Sequence, residues 1–255
     1  MGLSQRRATL LGRLSIRRQR EREGLVLVEG LRNAREALDA GVRVRFAVLR
    51  QDFVERPEGR AIGERMREAG IDVDLVEDSA FDALSATESP QGVLLVCEQE
   101  GSGLGEVVSA EGPILVLDSL QDPGNVGTLI RSAIAFGFAG VIALDGTADP
   151  WSPKAVRSSA GTVLRARIAR AGAADAVEAL SAAGRTILVA AAGATSSGVV
   201  EGPHTALVIG NEGAGVREEV LASADEVVSI PMFGAVESLN AGIAGSILMY
   251  ELTRK

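Results

Sequence analysis

The residues best suited to chemistry gather in three glycine-bearing stretches in the second half of a 255-residue chain. The first spans residues 118–131, where Asp122, Pro123, Gly124 and Asn125 supply turn and helix-cap chemistry ahead of a helical pattern. Asn125 and Arg131 are six residues apart, about 600° around an α-helix, so they need not share a face, although they could converge with Asn125 in the loop rather than in the helix. By local chemistry alone this stretch reads more readily as a capped helix with a solvated arginine. The second, residues 207–216, is an apolar strand ending in a tight turn of Gly210, Gly213 and Gly215 that holds one carboxylate, Glu212. Glycines there let backbone N–H groups approach a ligand closely, although an ordinary turn would use them too. In the third, residues 230–240, Pro231 ends a strand and Ser238 is a natural cap for the last helix. Asn240 then falls in the first turn of that helix, able to hydrogen-bond across to another loop.

Such loops need a scaffold. In the second half, residues 114–117, 141–144, 186–190, 206–209 and 227–230 read as short, mostly apolar strands, the kind buried on both faces of a parallel sheet. Helical patterns lie between them near 125–137, 153–160, 173–183 and 216–222, with a final helix near 238–253. Open parallel sheets bind ligands beyond the carboxyl ends of their strands, and the three loops lie at such ends. The first half alternates strands (25–28, 44–49, 71–76, 93–97) with helices near 31–38 and 57–69, a small α/β domain. A glycine-rich seam at 98–112 separates the halves, which sets the expected domains at 1–100 and 106–255.

Composition narrows the class. Hydrophobic residues make up 46% and charged residues 24%, the profile of a globular protein. One cysteine, Cys97, allows no disulfide within the chain, and with one histidine, His204, it leaves too few soft ligands for a zinc site. No apolar run reaches the roughly 18 residues of a membrane span, and the arginine-rich N-terminus lacks the apolar core of a secretory signal. The reading is a cytoplasmic protein without metal or membrane. The net charge of −8 hides an asymmetry: residues 1–22 carry +6, residues 23–100 carry −8, and residues 101–255 carry −6. A basic arm on an acidic body suits phosphate binding at that end, and a solvated helix face accounts for it equally well. Neither G-x-G-x-x-G nor a P-loop follows any strand, so nucleotide-dependent dehydrogenase and NTPase readings lack their motifs.

In this order the three loops resemble the signature motifs of the SpoU family of RNA 2′-O-ribose methyltransferases, within the SPOUT superfamily. Pro123, Asn125, Gly127 and Arg131 fit the first motif; Gly210, Glu212 and Gly215 fit the second; Ile230, Pro231, Met232, Gly234, Ser238, Leu239 and Asn240 fit the third. Residues 28–34 also resemble the opening of the small substrate-binding domain that many members carry. One departure is Ala241-Gly242, where Val-Ser is commoner. The resemblance implies an α/β fold: a parallel-sheet SPOUT-type domain with a trefoil knot, preceded by a small α/β substrate-binding domain. It further implies S-adenosylmethionine as cofactor, contacted at Gly210, Ile230 and Leu239, and a homodimer with the final helix near the interface. The small residues Ala241, Gly242, Ala244, Gly245 and Ser246 suit that interface, and intramolecular packing as well.

The implied reaction is an in-line methyl transfer to a ribose hydroxyl, which rests on alignment and needs no metal. His204 precedes a strand, away from the three loops, so the usual base is lacking. The family's catalytic group matches Arg131. A guanidinium is a poor base, so Arg131 is read as orienting the ribose and its phosphate and stabilising alkoxide charge, with Asn125, Glu212, Ser238 and Asn240 holding the arrangement. Aromatic residues are only 3% of the chain, so RNA recognition should rest on arginine–phosphate contacts and shape rather than stacking. Ribosomal RNA is favoured over transfer RNA by the resemblance alone. A transfer-RNA enzyme and a non-catalytic RNA-binding protein of the same fold remain the alternatives.

Overall fold

Where the sequence offers β-branched and leucine runs the chain forms strands, and they assemble into two separate sheets. The computed structural model describes residues 2–87, 89–191, 202, 204–232 and 238–254. In chain order the first hundred residues hold α1 (Gln5–Arg13), α2 (Arg17–Glu23), β1 (Leu25–Glu29), α3 (Leu31–Asp39), β2 (Val44–Arg50), α4 (Gln51–Val54), α5 (Pro57–Glu68), β3 (Val73–Val76), α6 (Asp78–Asp82) and β4 (Val93–Glu98). There follow α7 (Leu104–Ser109), β5 (Ile114–Leu117), α8 (Pro123–Ala135), β6 (Gly140–Leu144), α9 (Pro153–Ser158), a 3-10 turn (Thr162–Arg165) and β7 (Ile168–Ala171). The chain then continues through α10 (Ala173–Ala182), β8 (Thr186–Ala190), β9 (Thr205–Ile209), α11 (Glu218–Leu221), β10 (Glu226–Val228) and α12 (Ala241–Thr253).

Two compact units result: Met1–Glu100 with Trp151–Arg165, and Gly101–Pro150 with Ala166–Lys255. The first is built on a four-stranded sheet ordered β1-β4-β2-β3, with β4 antiparallel to both neighbours and β2 parallel to β3. Its arginine-rich start is no free arm. Leu11 and Leu14, three apart on one face, are buried with Leu25, Phe46 and Leu94 in the core of this sheet. Two of the seven arginines are structural: Arg7 pairs with Asp72 and Asp74 and lies 4.6 Å over the Phe46 ring, and buried Arg20 donates to the Leu14 carbonyl at 2.7 Å. Arg6, Arg13 and Arg18 stay exposed. Trp151–Arg165 lies outside the first hundred residues yet belongs to this unit, because α9 packs on β1 and the 3-10 turn packs on α3.

The second unit has six parallel strands in the order β10-β8-β9-β5-β6-β7. All residues of β5, β6 and β9 are buried, which is why these segments read as unbroken apolar runs. The edge strand β7, Ile-Ala-Arg-Ala, carries no such run and escapes a reading by hydropathy. α12 lies along α8, and two glycines allow the approach. A Cβ at Gly245 would strike the Leu129 side chain, and Gly242 sits against Asn125 and Thr128. Ser246 and Ser132 share a 2.7 Å hydrogen bond across the same seam. These small residues therefore serve packing within the chain. The exposed stripe of α12 is apolar instead, formed by Ile243, Ile247 and Tyr250.

Candidate active site

The loop leaving β5 bends at Ser119 and enters α8 through Asp122, whose carboxylate accepts from the Gly124 N–H at 2.9 Å with Pro123 in the first turn. Asn125 therefore lies inside α8, not in the loop that would have let it converge with Arg131. It is 8% exposed and points back towards the loop after β9. Its Nδ2 donates to Glu212 Oε1 at 2.9 Å, and its Oδ1 accepts from Asn240 Nδ2 at 3.0 Å. Glu212 also accepts from the backbone N–H groups of Gln121 (3.2 Å) and Asp122 (3.3 Å). The three glycine-bearing loops are thus joined by one chain of hydrogen bonds, Asn240 to Asn125 to Glu212.

Partial burial works to raise the Glu212 pKa. Hydrogen bonds from Asn125, from its own N–H and from those of Gln121 and Asp122 outweigh burial and hold the carboxyl below its ordinary value. Glu212 is accordingly an ionised acceptor that orients Asn125, and not a proton donor. The cap of α12 is Asn240, whose Oδ1 accepts from the Ile243 N–H at 3.2 Å. Sequence reading gave that cap to Ser238 and put Asn240 inside the helix. The helix starts later because the Asn240 side chain is shared between the cap and Asn125.

Beyond the carboxyl ends of β8, β9 and β10 lies a cavity of about 440 Å³, within the size range of small-molecule sites. Gly210, Ile230 and Leu239 all line it, as do Glu212 and Ser238. A Cβ at Gly210 would collide with the backbone of Gly215 and Val216, so only glycine permits the tight return of this loop along the cavity wall. The wall combines apolar side chains such as Ile209, Ile230 and Leu248 with exposed backbone. Gly234 lies outside the described residues. Arg131 stands apart from this assembly. It is exposed on α8, roughly 120° around the helix from Asn125, in a row with Thr128 and Ala135.

Sequence reading missed the residues that tie the loops together from behind. Asp118, with no exposed surface, is paired with Arg217 at 2.7 Å. Asn211 donates to the Ser119 carbonyl at 2.8 Å, and its Oδ1 accepts from the N–H groups of Gly213 and Ala214. An acid directly after a strand and an arginine two residues after a glycine turn were the available signals. Ninety-nine residues separate them, and nothing local links them.

A parallel-sheet unit with a ligand cavity at its strand ends, joined to a small mixed-sheet unit, defines an α/β protein of two parts. The chain belongs to the SpoU rRNA Methylase family, whose profile matches residues 112–250. An MRM3-like substrate binding domain matches residues 9–95. Among relatives, the 23S rRNA (guanosine(2553)-2′-O)-methyltransferase RlmP of Bacillus subtilis is 33% identical over 94% of this chain and 93% of its own. The 23S rRNA (uridine(2479)-2′-O)-methyltransferase of Streptomyces viridochromogenes is 34% identical over 95% of this chain and 87% of its own. The AdoMet-bound rRNA methyltransferase of Sinorhizobium meliloti superposes with a TM-score of 0.85 at 28% identity, covering 100% of this chain and 96% of that one.

Proposed function

We propose that this protein transfers a methyl group from S-adenosylmethionine to a ribose 2′-hydroxyl of ribosomal RNA. The observation that carries the reading is the Asn240–Asn125–Glu212 chain, whose carboxylate end stands on the wall of the cavity lined by Gly210, Ile230 and Leu239. The cavity suits the cofactor: backbone at 210–216 for its polar groups, aliphatic side chains for its adenosyl part. When bound, S-adenosylmethionine supplies an electrophilic methyl group. The rest is alignment by this chain's own residues. Glu212 fixes the Asn125 amide, Asn240 fixes it from the other side, and Ser238 offers a hydroxyl at the cavity wall. Arg131 stabilises charge on the ribose oxygen and holds the neighbouring phosphate.

Arg131 does not face the cluster of its own chain, and this favours a dimer. The apolar stripe Ile243, Ile247 and Tyr250 lies on α12, which packs on α8, and Tyr250 meets Phe136, the residue that caps the end of that helix, at an oblique angle. A second copy covering the stripe leaves Arg131 at the edge of the interface, placed to serve the partner's site. In this reading the parallel-sheet unit carries the family's trefoil knot, and the protein works in the cytoplasm. The RNA substrate is held in part by Arg6, Arg13 and Arg18 of the small unit. The two named relatives act on a guanosine and a uridine, so the base is not the feature shared at the site. Incubating the protein with ribosomal RNA and methyl-labelled S-adenosylmethionine tests the reading: label enters RNA, whereas a non-catalytic RNA-binding protein binds RNA and transfers none.

A further inference from the structure

We infer that Asp118 and Arg217 form a positioning pair that sets the register between the loop after β5 and the loop after β9. The inference rests on the methyltransferase reading above. Both oxygens of the buried Asp118 carboxylate are committed to Arg217: Oδ2 accepts its backbone N–H at 2.8 Å and Oδ1 its Nε–H at 2.7 Å. The guanidinium then reaches further, its Nη2 donating to Ser119 Oγ and to the Asp145 carbonyl, each at 2.6 Å. One side chain thereby joins the ends of β5 and β6 to the turn that follows β9. Ser119 closes the arrangement, donating from Oγ to Asp118 at 3.0 Å.

Three features separate this pair from an ordinary stabilising salt bridge. Desolvation of the buried Asp118 carboxylate offsets much of what its pairing with the partly exposed Arg217 contributes, so stability alone does not account for the pair. The backbone it holds is unfavourable: Ser119 has φ +59°, a conformation that non-glycine residues adopt only when their surroundings enforce it. The consequence lies two and three residues on, where the N–H groups of Gln121 and Asp122 meet the Glu212 carboxylate. Neither Asp118 nor Arg217 lines the cavity, so the pair acts through Ser119 and Glu212 rather than on a ligand. Gln121 reinforces the same geometry, its Nε2 donating to the carbonyls of Ser119 (3.0 Å) and Gly146 (2.8 Å).

Arg217→Lys keeps a positive charge near Asp118 but offers one nitrogen where Arg217 uses two, so it cannot bond Asp118 Oδ1 and also reach Ser119 Oγ and the Asp145 carbonyl. Measured in the full-length protein, it should lower single-turnover methyl transfer about 10- to 100-fold. Melting temperature and S-adenosylmethionine affinity by calorimetry should stay near those of the parent. Ser119→Ala, a smaller lesion in the same network, should lower turnover several-fold, and Arg217→Gln should be worse than Arg217→Lys. A fall in melting temperature with unchanged turnover per folded molecule would make the pair structural only and overturn the inference. Parental turnover in both Arg217→Lys and Ser119→Ala would overturn it too, and if Arg217→Lys does not fold, Ser119→Ala decides alone. Failure of the methyltransferase reading is a different result: no transfer by the parent protein itself.

Discussion

Replacing Asn125 by aspartate changes one NH2 group to an oxygen and little else in shape, at the point where the three loops meet. In the parent, Nδ2 donates to the ionised Glu212 at 2.9 Å. Losing a hydrogen bond to a charged group costs about 1.5 kcal/mol here, the low end of the usual range because Glu212 remains exposed, which is roughly tenfold in rate. Asn125→Ala also strands the Asn240 amide, bringing the loss to about 3 kcal/mol and roughly 10²-fold. The aspartate variant carries a signature the alanine variant lacks. Two carboxylates at hydrogen-bond distance cannot both stay ionised, so one takes up a proton as pH falls, and that proton restores a donor between them. The parent behaves oppositely. Its Glu212 pKa is depressed, so the interaction is complete above the ordinary carboxylate range and is lost only as pH falls through the lowered value. Single-turnover transfer measured from pH 5.5 to 8.5 should show the Asn125→Asp deficit shrinking towards acid, with cofactor affinity within about threefold of the parent. A variant within twofold of the parent at pH 8, or a deficit flat across this range, refutes the role given to the Asn125–Glu212 bond.

Three further outcomes follow from the same geometry. Arg131→Ala should leave S-adenosylmethionine affinity nearly intact and cut turnover about 10²-fold or more, with Arg131→Lys no better; near-parental turnover in either removes Arg131 from the mechanism. Light scattering at micromolar concentration should give a dimer for the parent and a monomer for Ile247→Glu, and mixing Arg131→Ala with Asn125→Ala chains should recover part of the activity; a monomeric parent contradicts both. Changing Arg6, Arg13 and Arg18 together to glutamine should flatten the slope of log RNA affinity against log salt by roughly 2, at about 0.7 per phosphate contact, without touching cofactor binding; an unchanged slope assigns these arginines to solvation.

The last of these shows what sequence could and could not supply. Charge counting located the basic stretch, but only the burial of Leu11 and Leu14 shows it to be part of the small unit's core, so deleting it would test folding rather than RNA binding. The parallel strands were legible because burial on both faces writes itself as an apolar run. β7 was not, since an edge strand needs no such run. Asn125, Glu212 and Asn240 could be picked out because their glycine and proline neighbours mark loops at strand ends. Their convergence could not, because it depends on a cap at Asn240 and a sheet order that brings β9 beside β5. Of the two uses left open for the small residues of α12, packing within the chain is the one the structure shows for Gly242, Gly245 and Ser246. Gly242 and Gly245 turn inward, and the outward face is Ile243, Ile247 and Tyr250.

The most direct test of the account is where the methyl group goes. Ribosomal RNA from cells lacking this protein, treated with the purified protein and methyl-labelled S-adenosylmethionine, should be digested with alkali and separated. A 2′-O-methyl ribose blocks cleavage of the adjoining phosphodiester, so the label should run as an alkali-resistant dinucleotide, and Asn125→Ala should slow its appearance about 10²-fold. Label recovered on a base, in mononucleotides, would contradict the account, as would an absence of label from a protein that binds the cofactor.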